Sequence, residues 1–237
     1  MRNYLIFDGE DSRDYGVYIT GSGVFNAPGW AIDEVAIPGR DGLFLMAGRR
    51  LENIEVTYPC FIYANYKEQI SRFRNMLLSR NGNYVRIMDS YHPGEFRSGV
   101  YAGPFEVEPT LKLDAGSFDL TFNCMPQRYL LSGQETITLT ASGEIENPTP
   151  FSAKPLIRAY GTGSLSAGGG SITVNAAPSA GYTDLDCNTM EAYIGGTSRN
   201  AYISLGNYSF PRLYSGTSRV NISGFSKVEI TPRWWIV

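Results

Sequence analysis

Apolar and polar residues alternate at period two along most of this chain, which is the pattern of half-buried β-strands. The clearest case is the segment 53–63, where five apolar residues at alternating positions would share one face: Ile54, Val56, Tyr58, Cys60 and Ile62. A looser alternation predicts strands at residues 4–8, 15–20, 24–37, 43–47, 84–88, 100–107 and 118–124. The N-terminal half is therefore predicted to be mainly β.

One segment repeats its apolar residues at helical spacing instead. Five of them fall on one side of a helix over residues 64–79: Tyr66, Ile70, Phe73, Leu77 and Leu78. Spacings of three and four residues are typical of a surface helix that packs on a sheet. We expect Ile70, Phe73 and Leu77 to be buried against the N-terminal sheet.

The remainder of the chain shows no helical period. From residue 133 onward, short strand-like segments are separated by Gly, Ser and Asn turns every 8–12 residues or so, as in a β-sandwich or jelly roll. We place the domain boundary at 132/133. The predicted fold is mainly β, with an N-terminal β-sandwich or barrel-like domain (1–132) that carries one helix near 64–79, followed by a C-terminal β-sandwich domain (133–237).

Composition and charge exclude several functional classes. The 237 residues carry a net charge of −3, and Lys and Arg are scattered, so specific nucleic-acid binding is not indicated. No apolar run approaches the roughly 18 residues of a membrane span, so we expect no membrane association. The three cysteines (Cys60, Cys124 and Cys187) are far apart and odd in number, which predicts reduced, unpaired thiols.

The single histidine argues against an enzyme. A Ser–His–Asp or Cys–His arrangement would have to use His92, which precedes Pro93 in a turn-like segment. Structural and catalytic zinc sites use two or more His or Cys ligands at close spacing, and none are present. We therefore expect no catalytic, cofactor or metal site.

Two further motifs have simple structural interpretations. The glycine-rich segment 161–171 lacks the ending of a phosphate-binding loop and is predicted to be a hairpin tip. Asp184 and Asp186 are at strand spacing, and without an Asp-rich loop nearby we expect an exposed strand face rather than a calcium site. Alternation should turn one of Trp234 and Trp235 into the core and the other outward.

Several segments together resemble the distal tail protein (Dit) family of long-flexible-tailed (siphovirus) phages and prophages. In chain order they are FDGEDSRDYG (7–16), GSGVFNAP (21–28), VAIPGRDG (35–42), FNCMPQRYLLSG (122–133), NPT (147–149), DCNTMEAY (186–193), FPRLYSG (210–216) and PRWWI (232–236). Each is weak alone, but their order and spacing extend over nearly the whole chain.

The resemblance implies a virion protein of the phage tail tip, assembled in the bacterial host cytoplasm. It implies a homohexameric ring of N-terminal domains, with a galectin-like sandwich projecting from each. The implied partners are the tail tube protein, the tape-measure protein and the tail-associated hub protein. In some members an arm inserted in the second domain holds receptor-binding proteins, for which the 105 residues from 133 to 237 leave little room.

Two functions are compatible with these observations. The first is a structural ring subunit that joins the tail tube to the tail-tip hub or baseplate. The second is a carbohydrate-binding module that contributes to host-cell-surface adhesion, because galectin-like sandwiches often bind sugars. Sugar binding needs exposed aromatic rings, and four residues are the candidates: Trp234, Trp235, Tyr193 and Tyr202.

The best candidate for the ring contact is the segment from Val35 to Arg50. Four consecutive apolar residues, Leu43 to Met46, do not alternate, so both faces of this strand should be covered. We expect one face on its own domain and the other on the neighbouring subunit; the alternative is a hairpin buried wholly within its own domain. The interface candidates are Pro38, Gly39, Arg40, Asp41, Gly42, Phe44 and Met46.

Overall fold

The computed structural model describes residues 2–21, 23–63, 65–110, 114–176, 179 and 181–237. The chain divides into two compact units, one formed by the residues up to Arg128 together with Val237, and the other by Tyr129–Ile236. The strands form antiparallel sheets and the described part of the chain is mainly β, which confirms the predicted fold class.

The first unit contains ten strands up to the end of β10 and one α-helix. The strands are β1 (Leu5–Phe7), β2 (Glu10–Asp11), β3 (Val17–Ile19), β4 (Trp30–Ala36), β5 (Leu43–Leu51), β6 (Ile54–Tyr63), β7 (Val85–Asp89), β8 (Glu95–Tyr101), β9 (Glu108–Thr110) and β10 (Ala115–Leu130), and the helix is α1 (Tyr66–Leu78). The main sheet has the order β2-β1-β7-β8-β10-β6-β3, and β9 pairs with the start of β10. Strands β4 and β5 form a separate two-stranded sheet.

The central strand pair shows why the period-two pattern was informative. Strands β6 and β10 run antiparallel, with Val56 opposite Phe122 and Tyr58 opposite Leu120, and all four side chains are buried. The intervening residues of β6 face outward because successive side chains of a strand point to opposite faces. The buried apolar residues of β6 and β10 form one side of the core.

Helix α1 covers that core. Ile70, Phe73 and Leu77 are buried, as predicted from the helical spacing. The Phe73 ring lies between those of Tyr15 and Phe118, with centroid distances of 5.8 and 6.3 Å. Leu78, which the spacing placed on the same side, is exposed because it lies about 100° around the helix axis from the buried Leu77.

The strand predicted over 100–107 ends early. Strand β8 stops at Tyr101, and residues 102–107 have no regular structure. The physical reason is Pro104, which has no N–H to donate to a ladder. Beyond this segment, β9 resumes pairing with β10.

The second unit contains two sheets. Its strands are β11 (Ile137–Leu139), β12 (Gly143–Asn147), β13 (Leu156–Tyr160), β14 (Gly163–Ala167), β15 (Gly170–Val174), β16 (Tyr182–Asp186), β17 (Glu191–Ile194), β18 (Thr197–Ser198), β19 (Ile203–Gly206), β20 (Gly216–Ser223), β21 (Lys227–Thr231) and β22 (Trp235–Ile236). One sheet has the order β11-β21-β13-β16-β17-β18 and the other β12-β20-β14-β15-β19. Apolar residues from both sheets form one buried cluster, as in a β-sandwich.

The NPT segment forms a buried corner of this sandwich. The Asn147 side-chain amide donates to the carbonyls of Phe151 and Leu213, at 2.8 and 3.1 Å. The side-chain oxygen of Asn147 (Oδ1) accepts from both the backbone N–H and the hydroxyl of Thr149. Because the polar atoms are paired, Asn147 and Thr149 can be buried at little cost.

The glycine-rich segment is the β14–β15 hairpin, with its tip at Gly168 and Gly169. Gly170 is needed for packing, since a Cβ there would lie 2.2 Å from the carbonyl oxygen of Phe210. The segment FPRLYSG therefore crosses directly over the hairpin, which explains why the two motifs occur together in this sequence.

Asp184 and Asp186 do not form an exposed strand face. Both are buried, and each carboxylate is held by two hydrogen bonds from an arginine: Arg158 to Asp184 at 2.7 and 3.0 Å, and Arg233 to Asp186 at 2.8 and 2.9 Å. Burial is tolerated because paired, hydrogen-bonded charges avoid the full desolvation penalty. The prediction of an exposed face was wrong.

The three cysteines are buried and free, as predicted. Burial raises the pKa of the Cys124 thiol to about 11 and that of Cys187 to about 12. The pKa of the Cys60 thiol is also raised, mainly by burial and in addition by the charge of Asp119. Thiols in this state are poor nucleophiles and poor metal ligands.

Candidate assembly surface

Strands β4 and β5 form a long hairpin, and no third strand from the described residues pairs with it. Val35 lies opposite Phe44, and Asp33 opposite Met46, so these four residues share one face of the hairpin. Ala36 lies opposite Leu43, and Glu34 opposite Leu45, so this second set shares the other face. Each face thus combines apolar side chains with one carboxylate.

Both faces of the hairpin are exposed. The four consecutive apolar residues of β5 have between 46% and 56% of their surface accessible: Leu43, Phe44, Leu45 and Met46. Trp30, Ile32, Val35 and Ile37 are exposed to a similar degree. An isolated two-stranded hairpin is marginally stable in water at best, and large contiguous apolar patches on soluble proteins mark interaction sites.

This arrangement corrects the expectation that one face would lie on its own domain. Neither face is covered by the described part of the chain, so the alternative of a hairpin buried wholly within its domain is also wrong. The expectation that the consecutive apolar run is covered by a neighbouring subunit stays a prediction.

The other predicted interface residues form the turn at the end of the hairpin. Pro38, Gly39, Arg40, Asp41 and Gly42 connect β4 to β5 and are all exposed. The Arg40 N–H donates to the Ile37 carbonyl at 3.2 Å, which closes the turn. Phe44 and Met46 follow on the same face of β5.

Hydrogen bonds join the two ends of the hairpin and tie Asn53, which follows it, to the first unit. The Glu52 N–H donates to the Gly29 carbonyl at 2.9 Å, just beyond the last paired residues. The Asn53 amide donates to the Tyr84 hydroxyl at 2.6 Å and to the Asn123 side-chain oxygen at 2.7 Å. The hairpin therefore projects from a fixed base.

Trp30 and Ile32 belong to this surface but were not among the predicted interface residues. Both are exposed on β4, the strand that pairs with the apolar run. The only signal in the sequence was the loose alternation of residues 24–37, and this pattern alone does not distinguish a core-facing strand from one that awaits a partner.

Two of the four candidate sugar-contact aromatics are not available at the surface. Trp234 is 5% exposed and belongs to the core of the second unit. The Trp235 ring stacks on that of Phe151, with centroids 4.3 Å apart, and its indole N–H donates to the Ser152 carbonyl. Tyr193 is half-buried, and Tyr202 is exposed beneath the guanidinium of Arg199.

The histidine has a structural environment. The Asp89 carboxylate accepts from the Tyr58 hydroxyl and from the backbone N–H groups of Tyr91 and His92, and the His92 ring lies 3.2 Å from it. These contacts close the turn after β7. Across the described ranges, no group of three His, Cys, Asp or Glu side chains could hold a metal ion, and no helix there could cross a membrane.

Comparisons with known proteins point to phage tails. Residues 10–124 match the family model of the phage tail protein RIFT-related domain. The SPP1 Dit protein has the same fold, and its structure is described as a paradigm of the hub adsorption apparatus in phages that infect Gram-positive bacteria. The two structures align over all of both chains, with 16% sequence identity and a TM-score of 0.74. A chain in the activated phage P2 baseplate with Ca aligns at 12% identity over 97% of both chains, with a TM-score of 0.53. No curated protein sequence matches this chain.

The family match and the fold agree with the motifs quoted from the sequence. The matched residues 10–124 contain the hairpin and most of the main sheet. The predicted resemblance to phage tail proteins is thereby confirmed, and the fold is that of a Dit protein.

Proposed function

We propose that this chain, which matches a phage tail domain model and has the fold of a Dit protein, is a structural subunit of a phage tail tip. The observation that carries the proposal is the β4–β5 hairpin, whose two apolar faces have no cover within the described chain. A surface of this kind requires a partner, and the solved structures with this fold include a hub protein and a baseplate chain.

The hairpin suits a closed ring. In a ring, one patch of each subunit meets a different patch of the next. A projecting hairpin with a fixed base can reach a neighbour, and cover on both faces would come from a neighbour on each side. By resemblance to the family, the ring is a homohexamer that joins the tail tube to the tail-tip hub or baseplate.

The remaining partners follow from the same resemblance. The tail tube protein, the tape-measure protein and the tail-associated hub protein would contact the ring in the virion, after assembly in the bacterial host cytoplasm. This is a role in structure and not in catalysis. In support of a structural role, the three thiols are buried and the His92 ring is engaged with Asp89.

The carbohydrate-binding alternative has lost its strongest support. Of its four aromatic candidates, Trp234 is in the core and Trp235 is stacked on Phe151. Ring assembly therefore remains the function that we propose.

The test replaces Phe44 with Asp. The control is Leu78→Asp, which puts the same charge on an exposed apolar residue of α1, away from the hairpin. Size-exclusion chromatography with light scattering should show that the Phe44→Asp protein is folded and monomeric, whereas the wild type and the control form the ring. A ring that persists with Phe44→Asp would show that another surface builds it.

A further inference from the structure

A second unpartnered element lies in the second unit, at the open edge of β19. This strand is the last of its sheet, and among the described residues it pairs with β15 alone. The Asn175 N–H donates to the Tyr202 carbonyl at 2.9 Å, which fixes the direction of alternation along the strand. The backbone groups of Ser204 and Gly206 then face β15, whereas those of Leu205 face the open side.

The open side offers backbone hydrogen-bonding groups at strand spacing. The Ile203 N–H is taken by the Asn200 carbonyl, which leaves the Ile203 carbonyl and both backbone groups of Leu205 facing outward. A row of unpaired N–H and C=O groups is a template for another extended chain. Another extended polypeptide presents donors and acceptors at the same repeat.

The other open edges of this unit are protected or short. Strand β12 carries Glu144 and Glu146, strand β18 has two residues, and β11 exposes only Thr138. Charges and short length are the usual means by which proteins prevent edge-to-edge pairing. Strand β19 has neither a charge nor a proline, and its apolar Leu205 is exposed.

The turn that follows β19 presents an unusual tyrosine. Asn207 and Tyr208 both have left-handed backbone conformations, with φ of 55° and 52°, and the Ser209 N–H donates to the Gly206 carbonyl. Such a turn favours glycine at its second central position. Tyrosine stands there instead, and 97% of its surface is exposed.

Contacts with the β14–β15 tip hold this turn in place. The Asn207 amide donates to the Gly169 carbonyl at 3.3 Å, and the Ser171 N–H donates to the Ser209 carbonyl at 3.2 Å. The Tyr208 ring is therefore aimed outward from a supported turn, at the end of the open edge. An exposed aromatic ring in a disfavoured conformation suggests a function outside its own fold.

From these observations we propose that the β19 edge, with Tyr208 at its end, docks an extended polypeptide segment of another tail protein, which adds to the sheet as a further strand. Backbone hydrogen bonds would give affinity, and contacts with Leu205 and Tyr208 would give selectivity. The inference rests on the proposed function, since it places the chain among other tail proteins.

The experiment uses assembled tails that contain the full chain with benzoylphenylalanine at position 208. The control has the same photo-cross-linker at Met190, which is also exposed and left-handed but lies on the other sheet. Irradiation should link position 208, and not position 190, to an extended segment of another tail protein, identified by mass spectrometry. Leu205→Lys should reduce the yield several-fold, whereas Thr138→Lys on β11 should not.

The outcomes separate the two proposals. Absence of the chain from purified tails would overturn both of them. Tails that contain the chain but give no polypeptide link at position 208, give only a saccharide adduct, or give a link unaffected by Leu205→Lys would overturn the docking edge alone. A Tyr208→Gly variant should raise the melting temperature of the isolated protein; a lower value would show that the ring serves its own fold and would overturn the inference.

Discussion

Gly133 lies directly against the backbone of Trp234: a Cβ at position 133 would be 2.3 Å from the Trp234 nitrogen. Next to this contact, the Arg233 N–H donates to the Gly133 carbonyl at 2.7 Å. The first and last segments of the second unit are thereby held together. This contact explains why the sequence has glycine at the end of FNCMPQRYLLSG.

Gly133→Ala should destabilise the second unit by about 3 kcal/mol, because the methyl group must displace backbone atoms and not a flexible side chain. Urea unfolding measures the loss. Gly94→Ala is the matched control, since a Cβ at Gly94 meets no atom within 4 Å. Equal stability of the two variants would contradict the packing described.

Phe73→Ala should destabilise the first unit by about 3–5 kcal/mol, because it removes a fully buried ring and leaves a cavity between Tyr15 and Phe118. Chemical denaturation followed by circular dichroism gives the value. Leu78 on the same helix is exposed, so Leu78→Ala should change the free energy of unfolding by less than about 0.5 kcal/mol. A similar cost for both would place the buried face of α1 elsewhere.

The thiols should be unreactive in the native protein. Burial raises the pKa of Cys124 to about 11 and of Cys187 to about 12, so near neutral pH these cysteines are neutral and shielded. We expect a thiol reagent to label no cysteine at pH 8 and all three after denaturation. Rapid labelling of the folded chain would reveal an opening that exposes the core.

Acid should weaken the second unit through Asp186. Burial alone would raise the pKa of this carboxyl, but hydrogen bonds from Arg233 and the Asn188 N–H hold it below its ordinary value of 3.8. A lowered pKa in the folded state contributes stability above pH 4, and that contribution is lost as the pH falls through the folded-state value.

Asp186→Asn should therefore cost about 2 kcal/mol at pH 7, where it leaves the partly buried Arg233 without its charge partner. The substitution should also make the free energy of unfolding less dependent on pH below pH 4. Thermal unfolding at a series of pH values measures both effects. A wild-type protein as stable at pH 2.5 as at pH 7 would exclude this contribution.

Trypsin should distinguish the free subunit from the assembled one. Arg40 lies in the exposed turn of the hairpin, and exposed loop tips are preferred sites of proteolysis. We expect cleavage after Arg40 in the Phe44→Asp monomer and protection in the ring, as measured by mass spectrometry of the fragments. Equal cleavage in both states would place the turn outside the subunit contact.

Local periodicity was sufficient to predict much of the fold. The alternation in β6 and the helical spacing in α1 depend only on neighbours along the chain, so the buried faces could be assigned from the sequence. Asp184 and Asp186 show where this approach fails. Their partners, Arg158 and Arg233, are 26 and 47 residues away, and nothing in the local pattern indicates that each carboxylate meets a guanidinium.

For the candidate surface too, local features were predictable from the sequence and long-range contacts were not. Four consecutive apolar residues from Leu43 predict that both faces of the strand are covered, because a half-buried strand should alternate. Which molecule supplies that cover is not encoded locally. Trp234 and Trp235 were equally ambiguous, since their burial depends on Gly133 and Phe151, which are distant in the sequence.

The carboxylates of the hairpin have a consequence for the life of the subunit before assembly. Asp33 lies opposite Met46 on one face, and Glu34 lies opposite Leu45 on the other. Two hairpins that stacked through identical faces would bring like charges together in a dry layer, which is costly. Each newly made chain thus has one carboxylate on each face of its exposed apolar hairpin. These charges disfavour fibrous aggregates and favour contacts between unlike surfaces.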